Sequence, residues 1–454
     1  AGFTADIEFD VEDNAATLIA EMGGSDPASY LTEANSITVN DGAGSSVVNA
    51  NDGAILAGFT ADVEFDVVDS FGGLTAVMGS DDPASYLTEA NSITLDNDGN
   101  GDRVVNAGDG AILAGFTADV EFDVVDSANA IAAEVASSGF GSGGLDEAAD
   151  VVVANGDVNT SEAASIQQIS EYNASGSNYE ITDNAAAVIS AGNSVIEDAG
   201  VSLVEVTGNA TALEGVALNT YSANVDFDVS DTADAIATNS GNLGKADEVF
   251  VESGGAEVDV AGAQAIQGLA GYQAGASNYE IEDNAAALIS AGDSVLTNGN
   301  ISVDVNDGAG SSVVNANDGA MLASFTADID FDVADTAANI AAQVASGVAN
   351  GYGTDSLEDA ASVFVESGSA VSVSEAESVQ DLINYSGGDI DITDTAAALI
   401  SAGDHVLNVN GVDVVTASDS SVNANIGADL ASFTADIEFD VVDNANAIAA
   451  EVAS

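Results

Sequence analysis

The chain lacks cysteine and tryptophan altogether, and it has only two prolines, Pro27 and Pro83. Without cysteine there is no disulfide, no thiolate zinc site and no cysteine nucleophile. The near absence of proline excludes a proline-rich linker. No apolar run approaches the roughly 20 residues that a membrane-spanning helix needs, so we predict no membrane insertion.

Positive charge is almost missing as well, since Arg103 and Lys245 stand against 77 acidic residues and the formal net charge is −75. Nucleic acid is excluded as a partner, because binding it requires a basic surface. High charge often means disorder, but a hydrophobic fraction of 46% indicates a packed chain instead. A lysine-poor acidic surface suits a salty medium and offers few trypsin sites. These properties favour an extracellular or cell-surface location.

Repeats dominate what is present. The segment FTADIEFDV at Phe3–Val11 recurs, with few changes, beginning at Phe59, Phe116, Phe325 and Phe433. Each copy, or a shorter relative of it, runs into an aspartate, so nine units lie 48 to 59 residues apart. The aspartates at equivalent positions are Asp13, Asp69, Asp126, Asp183, Asp231, Asp283, Asp335, Asp394 and Asp443.

The pattern inside a unit predicts its secondary structure. Phe3, Ile7 and Val11 alternate with acidic residues, and this period of two is typical of a half-buried strand. We expect the aspartate that follows to cap the next helix through its first turn. Each unit then reads strand–strand–helix–strand–helix and cannot bury its apolar face alone.

The fold prediction is therefore an α/β repeat solenoid, one continuous array over residues 1–454 in which neighbouring units stack. Both ends fall inside a repeat, so we expect the array to belong to a longer chain. The alternative is a string of small β-rich sandwich domains. Neighbouring copies or further repeats of the same chain are the expected partners.

Stacking would also bring outward carboxylates of adjacent units together. Two such charges at about 4.8 Å repel by about 0.9 kcal/mol even in water. Bridging calcium ions would relieve this repulsion, and a solvated acidic face in a salty medium is the alternative. The loop that contains Asp96, Asp98 and Asp102 offers oxygen ligands among glycines, and we predict it as a calcium site. An ordinary hairpin turn is the alternative there.

Catalysis finds little support in the residues. His405 is the only histidine, so a histidine metal site is excluded, and we expect it to be a surface residue. Carboxylates are so frequent that no pair stands out as a glycosidase couple. We predict that the chain is not an enzyme.

The segments FDVADTAANIAAQVA at Phe331–Ala345 and DITDTAAALISAG at Asp391–Gly403 resemble a known repeat. They look like the SDTAANLAA-type repeats of giant bacterial cell-surface proteins. Those proteins are calcium-associated and are typical of marine cyanobacteria. The resemblance implies secretion to the cell surface and a role in adhesion, surface layers or motility. The nonapeptide GGxGxD that accompanies such proteins is not found here.

Three functions follow as hypotheses. The first is a structural or adhesive region of a large surface protein, a rigid acidic spacer or scaffold that divalent cations stabilise and that binds surface glycans. The second is a subunit of an extracellular filament, sheath or surface layer that assembles end to end. The third, which fits least well, is a polysaccharide-acting enzyme on a solenoid scaffold.

Overall fold

The computed structural model describes residues 8–22, 31–42, 44–59, 62–78, 89–116, 119–138, 145–350, 357–368 and 370–453. The start of the first FTAD copy, residues 3–7, lies outside them. The chain divides into two compact units, Ala1–Ala210 with Glu214–Asp228 and Thr211–Leu213 with Val229–Ser454.

The first unit is built from short strands joined by short helices. Its strands are β1 (Asp10–Asp13), β2 (Ser36–Val39), β3 (Val47–Val48), β4 (Val63–Glu64), β5 (Asp66–Asp69), β6 (Ser92–Leu95), β7 (Val104–Val105), β8 (Val120–Glu121), β9 (Asp123–Ser127), β10 (Asp150–Asn155), β11 (Asp157–Val158), β12 (Tyr179–Asp183), β13 (Val201–Val206) and β14 (Val225–Asp226). Its helices are α1 (Ala15–Met22), α2 (Ala50–Ala57), α3 (Phe71–Met78), α4 (Ala107–Ala114), α5 (Ala128–Ser138), α6 (Thr160–Ile166), α7 (Ala185–Ala191) and α8 (Asn193–Ile196). Helix α9 (Ala212–Leu218) has residues in both units.

The second unit has the same construction. Its strands are β15 (Val229–Asp231), β16 (Val249–Val251), β17 (Asn278–Asp283), β18 (Asn300–Val305), β19 (Val313–Val314), β20 (Ile329–Asp330), β21 (Asp332–Thr336), β22 (Ser362–Glu366), β23 (Tyr385–Gly388), β24 (Ile390–Asp394), β25 (Val412–Ala417) and β26 (Ile437–Glu438). Its helices are α10 (Ala233–Asn239), α11 (Val260–Gln267), α12 (Ala285–Ala291), α13 (Asp293–Leu296), α14 (Ala316–Leu322), α15 (Ala337–Asn350), α16 (Val373–Gln380), α17 (Ala396–Ala402), α18 (Asp404–Leu407), α19 (Ala424–Leu430) and α20 (Ala445–Val452).

All strand pairs in the described residues are parallel. Val48 pairs with Val67, 19 positions later, and Val333 pairs with Val363, 30 positions later. Parallel neighbours need a crossover, and the short helices supply it. The chain is therefore mixed α/β with many small parallel sheets. This pairing does not fit the alternative of sandwich domains, whose sheets are antiparallel.

Strands of the FTAD repeat show the predicted alternation. In the second copy Val63, Phe65 and Val67 are buried, whereas Glu64 is exposed. The copy is divided between two sheets, since β4 pairs with β2 and β5 pairs with β3 and β6. One strand segment thus links the sheet before it to the sheet after it.

The aspartate that ends each strand does not cap its own helix, and that prediction is wrong. The residue after it takes the role: the side chain of Asn14 accepts a hydrogen bond from the Thr17 N–H at 2.8 Å at the start of α1. Asp13 accepts only the N–H and side-chain amide of Asn14 itself, at 2.8 and 3.0 Å. The strand continues one residue too far for the aspartate to reach the first turn of the helix that follows.

The second carboxylate oxygen of these aspartates reaches back to an earlier helix. In β5, Asp69 accepts the Ser70 N–H at 2.8 Å and the N–H of Ala50, the first residue of α2, at 2.9 Å. We call such a residue a back-capping aspartate. The back-capping aspartates are Asp69, Asp126, Asp183, Asp231, Asp283, Asp335, Asp394 and Asp443, with N–H to oxygen distances of 2.9 to 3.2 Å to the first residues of α2, α4, α6, α9, α11, α14, α16 and α19.

Back-capping satisfies a helix N-terminus, whose first N–H groups have no partner inside the helix. The negative charge also complements the positive end of the helix dipole. Because the bond spans 19 to 23 positions in sequence, each one fastens two consecutive strand–helix segments together. The repeated aspartate is thus a packing residue between segments.

Candidate functional site

The outward face of the strands carries the acidic residues, and at Asp66 their pairing differs from the one that we predicted. Asp66 lies between two serines on its neighbouring strand segments. The Ser92 hydroxyl donates to Asp66 at 2.7 Å, and the Ser46 hydroxyl donates to its other oxygen. Like charges are therefore separated by hydroxyl donors rather than placed face to face.

The same alternation recurs at strands β1 and β21. The pairs are Ser36 with Asp10 at 2.8 Å, Ser312 with Asp332 at 2.8 Å and Ser362 with Asp332 at 2.6 Å. The register also sets Thr38 opposite Glu12 and Glu64, and Thr94 opposite Glu121. A hydroxyl that donates to a carboxylate forms a charge-assisted hydrogen bond, so this arrangement replaces a repulsion with an attraction.

A pair of facing carboxylates explains the position of Arg103. Asp123 lies opposite Asp150 in the β9–β10 register, so two carboxylates meet. Arg103 stands immediately before β7, where Ser46 stands before β3. Its guanidinium lies 3.4 Å from Asp123 and 3.3 Å from Glu121. Arg103 therefore takes the position that Ser46 has at β3. A serine there would not offset the repulsion between Asp123 and Asp150, whereas the guanidinium does.

Strands β17, β18 and β20 form a ladder in which carboxylates do face each other. Asp304 lies opposite both Glu282 and Asp330 in the register. A hydrogen bond to Asp304 raises the pKa of Glu280 to about 7, and burial and repulsion from Asp304, Glu257 and Glu282 act in the same direction. This patch therefore holds a proton close to neutral pH.

A second meeting of carboxylates lies at the start of β24 and β25. The register shifts between Ile390 and Asp391, which leaves Asp413 as an extra residue on the partner strand. Carboxylate oxygens of Asp389, Asp391 and Asp413 all lie within 4.8 Å of one another. Among the described residues, this is the set of three acidic side chains that meets this closeness.

Sequence reasoning missed these three residues. Their signal was the alternation Asp389, Asp391 in one strand and Asp413 in a segment that follows 22 positions later. Only the parallel register shows that the two segments are adjacent. Three carboxylates supply the hard oxygen ligands that calcium prefers, so the donor chemistry fits the predicted ion.

The predicted calcium loop uses its carboxylates differently. Asp96 accepts the Gly99 N–H at 2.8 Å, and Asp98 accepts the Asn100 N–H at 2.8 Å. The bond from the Asn100 backbone is the main cause of the lowered pKa of Asp98. Asp96, Asp98 and Asp102 do not form a set whose oxygens lie as close as those at β24. Calcium binding by this loop stays a prediction.

The remaining candidate residue is His405, the only histidine of the chain. His405 is exposed on α18, as expected of a surface residue. Among the helices that the structure describes, none combines the length and the apolarity needed to cross a membrane.

A polar groove of about 290 Å³ lies over the outward face of β11, β12 and β13. Its walls offer carboxylates, amides and hydroxyls, namely Asp157, Glu180, Glu205, Asn155, Asn178, Thr182 and Ser202. The Ser202 hydroxyl donates to the Tyr179 carbonyl at 2.9 Å. No protein-family profile, curated protein or solved structure matches this chain.

Proposed function

We propose that this chain is the structural or adhesive repeat region of a large extracellular surface protein, where it acts as a rigid acidic spacer. It carries load and separates other parts of the assembly, and it does not catalyse a reaction. The proposal includes the finer fold prediction, in which the strand–helix segments of each unit stack as a solenoid.

The observation that carries the proposal is the back-capping aspartate. It recurs from Asp69 to Asp443, and each copy ties the first N–H of one helix to the strand end of the next segment. A spacer needs the same strong contact at every step, because it fails at its weakest one. A catalytic scaffold would instead distinguish one segment from the others.

The acid–hydroxyl alternation supports the extracellular part. Asp66 obtains its donors from Ser46 and Ser92, so this carboxylate is hydrogen-bonded without a lysine or an arginine. Neutralisation of the remaining charge falls to ions of the medium, whose screening shortens the range of repulsion to about 8 Å at physiological salt. Such a surface works best where salt is plentiful.

The adhesive part is supported by the groove over β11–β13. Amides such as Asn155 and Asn178 and hydroxyls such as Thr182 are the groups that hydrogen-bond sugar hydroxyls. Tyr179 lines the groove but is buried, so it offers no stacking face. We therefore propose weak, polar binding of surface glycans at this site.

The location is tested by antibody labelling of intact source cells. We expect the chain to be labelled without permeabilisation. Labelling that appears only after permeabilisation would contradict the surface role. Electron micrographs of the same cells distinguish a spacer from a filament subunit, since a filament gives ordered fibres of this chain alone.

The mechanical role is tested by pulling single molecules from both ends. A stacked array should yield in a series of small steps, each of which releases one strand–helix segment of about 19 to 30 residues. Extension without resistance would refute the rigid spacer. Release of reducing ends from an acidic or neutral polysaccharide by the purified chain would show that the proposal of a non-enzyme is wrong.

A further inference from the structure

Strand β22 carries a phenylalanine in the middle of its outward face. Phe364 is 47% exposed, whereas its neighbours Val363 and Val365 are buried. Among the phenylalanines and tyrosines that the structure describes, Phe364 alone is exposed, and the others are buried or half-buried. Its aromatic ring therefore faces solvent, where the other described rings contribute to the packing of the chain.

Two other strands place a residue at the same point. Strands β10, β16 and β22 each contain the pattern Val-x-Val, and the middle residue is Val152, Phe250 and Phe364 in turn. Val152 and Phe250 are half-buried. The high exposure at this position is thus confined to the third strand, and Phe250 shows that the residue type alone does not cause it.

A single 3-10 turn covers the middle residue of the first two strands. These turns are Ala174–Gly176 beside β10 and Ala274–Ala276 beside β16. A Cβ built on Gly176 would lie 3.3 Å from a methyl carbon of Val152, so the first turn lies directly against that side chain. The second turn packs against β16 in the same place.

The third copy has lost this turn. Ser386–Gly388 stands where the second copy has Gln273–Ser277, so the chain is shorter by two residues at this point. Strand β23 replaces the turn and pairs directly with β22, which puts Gly387 opposite Phe364. The deletion therefore removes the cover of the ring and leaves a residue without a side chain beside it.

Both neighbours of Phe364 across the sheet are small. One is Ala334 and the other is Gly387. The nearest atom to a Cβ built on Gly387 would be the side-chain nitrogen of Asn410, at 3.8 Å, so the space beside the ring is open. A large flat side chain thus projects between two low ones.

Polar groups lie two residues away along the strands in each direction, a distance of about 6.6 Å. On one side Asp332 faces Ser362, whose hydroxyl donates to it at 2.6 Å. On the other side Thr336 faces Glu366. An apolar centre with a few polar groups around it is the usual composition of a site for a small organic ligand.

We propose that Phe364 binds a neutral saccharide, with one β-linked hexose ring stacked on its phenyl ring. Hexoses of the glucose type direct their hydroxyls outward in this linkage and leave C–H bonds on both flat faces. The flat face lies on the phenyl ring, and the hydroxyls donate to the carboxylates of Asp332 and Glu366. The inference rests on the adhesive part of the proposed function and adds a second site, of different chemistry, to the groove over β11–β13.

Other occupants fit this surface less well. The exposed half of one phenylalanine amounts to roughly 100 Å², whereas a stable protein interface buries about 800 Å² on each partner. The carboxylates of Asp332 and Glu366 repel an anionic polymer. A cation such as a quaternary ammonium group is held by a cage of several aromatic rings, and only one ring is present at this position.

The experiment titrates the full chain with three neutral probes, the soluble pentamers of β-1,4-linked glucose, β-1,3-linked glucose and β-1,4-linked galactose. Saturation transfer from protein to sugar protons in NMR spectra measures the binding. We expect at least one probe to bind with a Kd on the order of 1 mM, because one open ring surface gives a weak contact. An increase of NaCl from about 0.15 to about 1 M should leave this Kd unchanged, since the sugar carries no charge.

Substitutions of Phe364 separate stacking from general apolarity. F364A and F364L should each weaken binding at least about tenfold, because leucine keeps an apolar surface but has no flat ring. F364W should bind at least as tightly as the native chain. F250L makes the same change at the covered position and should leave binding unchanged. Circular dichroism checks that each variant is folded.

A graft tests the effect of the deletion without a change of Phe364. Replacement of Ser386–Gly388 by the sequence of Gln273–Ser277 restores the length of the turn. The grafted turn should cover the ring as it does at β16, so binding should weaken as much as in F364A.

Unchanged binding in F364A, retained binding in F364L or full binding by the folded graft would each overturn the inference. Tetramethylammonium that binds more tightly than every sugar, and that F364A releases, would name a cation as the occupant and overturn it too. The double variant N155A with N178A changes only the groove over β11–β13. Sugar binding that this variant removes and F364A does not would support the groove and overturn the site at Phe364. Absence of sugar binding to the native chain would contradict both the site and the adhesive part of the proposed function.

Discussion

Replacement of the back-capping aspartate in β21 by alanine, D335A, tests whether the segments are held together as the structure indicates. Asp335 accepts three hydrogen bonds, from the Ala316 N–H at 3.0 Å, the Thr336 N–H at 2.7 Å and the Asn339 amide at 2.7 Å. Alanine removes both carboxylate oxygens and with them all three hydrogen bonds. The N-terminus of α14 then loses both its partner and the charge that complements its dipole.

The expected loss follows from typical values for such contacts. Loss of a capping side chain costs about 1 kcal/mol, and hydrogen bonds to charged groups contribute about 1.5 to 3 kcal/mol each. Water replaces part of the lost hydrogen bonding, because Asp335 is only partly buried. We expect a net loss of about 2 to 3 kcal/mol, which corresponds to a roughly hundredfold larger equilibrium constant for the opening of α14.

Hydrogen exchange of the α14 amides measures this loss where it occurs. Denaturant unfolding of a repeat chain averages over many segments and need not follow two states. The matched control is D330A, which makes the same change in charge at an exposed acid. Asp330 faces Asp304 in the register, so its removal should leave stability unchanged or slightly increased. Equal effects of D335A and D330A would refute the role of back-capping.

Three further predictions concern the acidic patches and the strand packing. G388A should destabilise the pairing of β22 with β23 by about 3 kcal/mol or more, measured by hydrogen exchange of the amides in these two strands. The reason is that a Cβ at Gly388 would lie 2.1 Å from the Val365 carbonyl oxygen, and the φ of Gly388 is +142°. G275A is the control and should have no such effect, because a Cβ there meets nothing within 4 Å. The raised pKa of Glu280 means that the folded chain keeps a proton that the unfolded chain releases, so the thermal stability of the chain should fall as the pH rises from about 4.5 to 7. E280Q should abolish this fall. Calcium that stabilises the chain predicts that EDTA at fixed ionic strength lowers the melting temperature. D413N should reduce that shift more than it changes the stability of the calcium-free chain. A melting temperature that EDTA does not change would show that the calcium prediction is wrong.

Local features of the fold follow from the sequence. The alternation of Val63, Phe65 and Val67 predicts a strand with one buried face, and the structure confirms it. The position of Asp69 at the strand end is equally plain from the repeats. Its partner is not, because the bond to Ala50 depends on which segments become neighbours. A capping rule that considers one helix at a time therefore selects the wrong helix.

In the candidate site, too, contacts between residues close in sequence can be predicted, whereas contacts between distant segments cannot. The loop with Asp96 and Asp98 is predicted as an ion site because its acids are close in sequence, and that prediction stands untested. In the structure the N–H groups of the loop donate to these two side chains. The acids at β24 and β25 meet only through a register shift that moves Asp413 beside Asp391. No property of either segment by itself predicts that shift.

The backward direction of the cap bears on how such a chain changes its length over generations. Because the back-capping aspartate at a strand end supplies the acceptor for the preceding helix, a segment that is duplicated or lost by recombination between similar stretches leaves each helix of this kind with an acceptor. The stretch DGAGSSVVNANDGA, present at both Asp41–Ala54 and Asp307–Ala320, offers such a place for exchange. The number of strand–helix segments can therefore vary without a compensating mutation elsewhere, and selection can act on the length of the molecule.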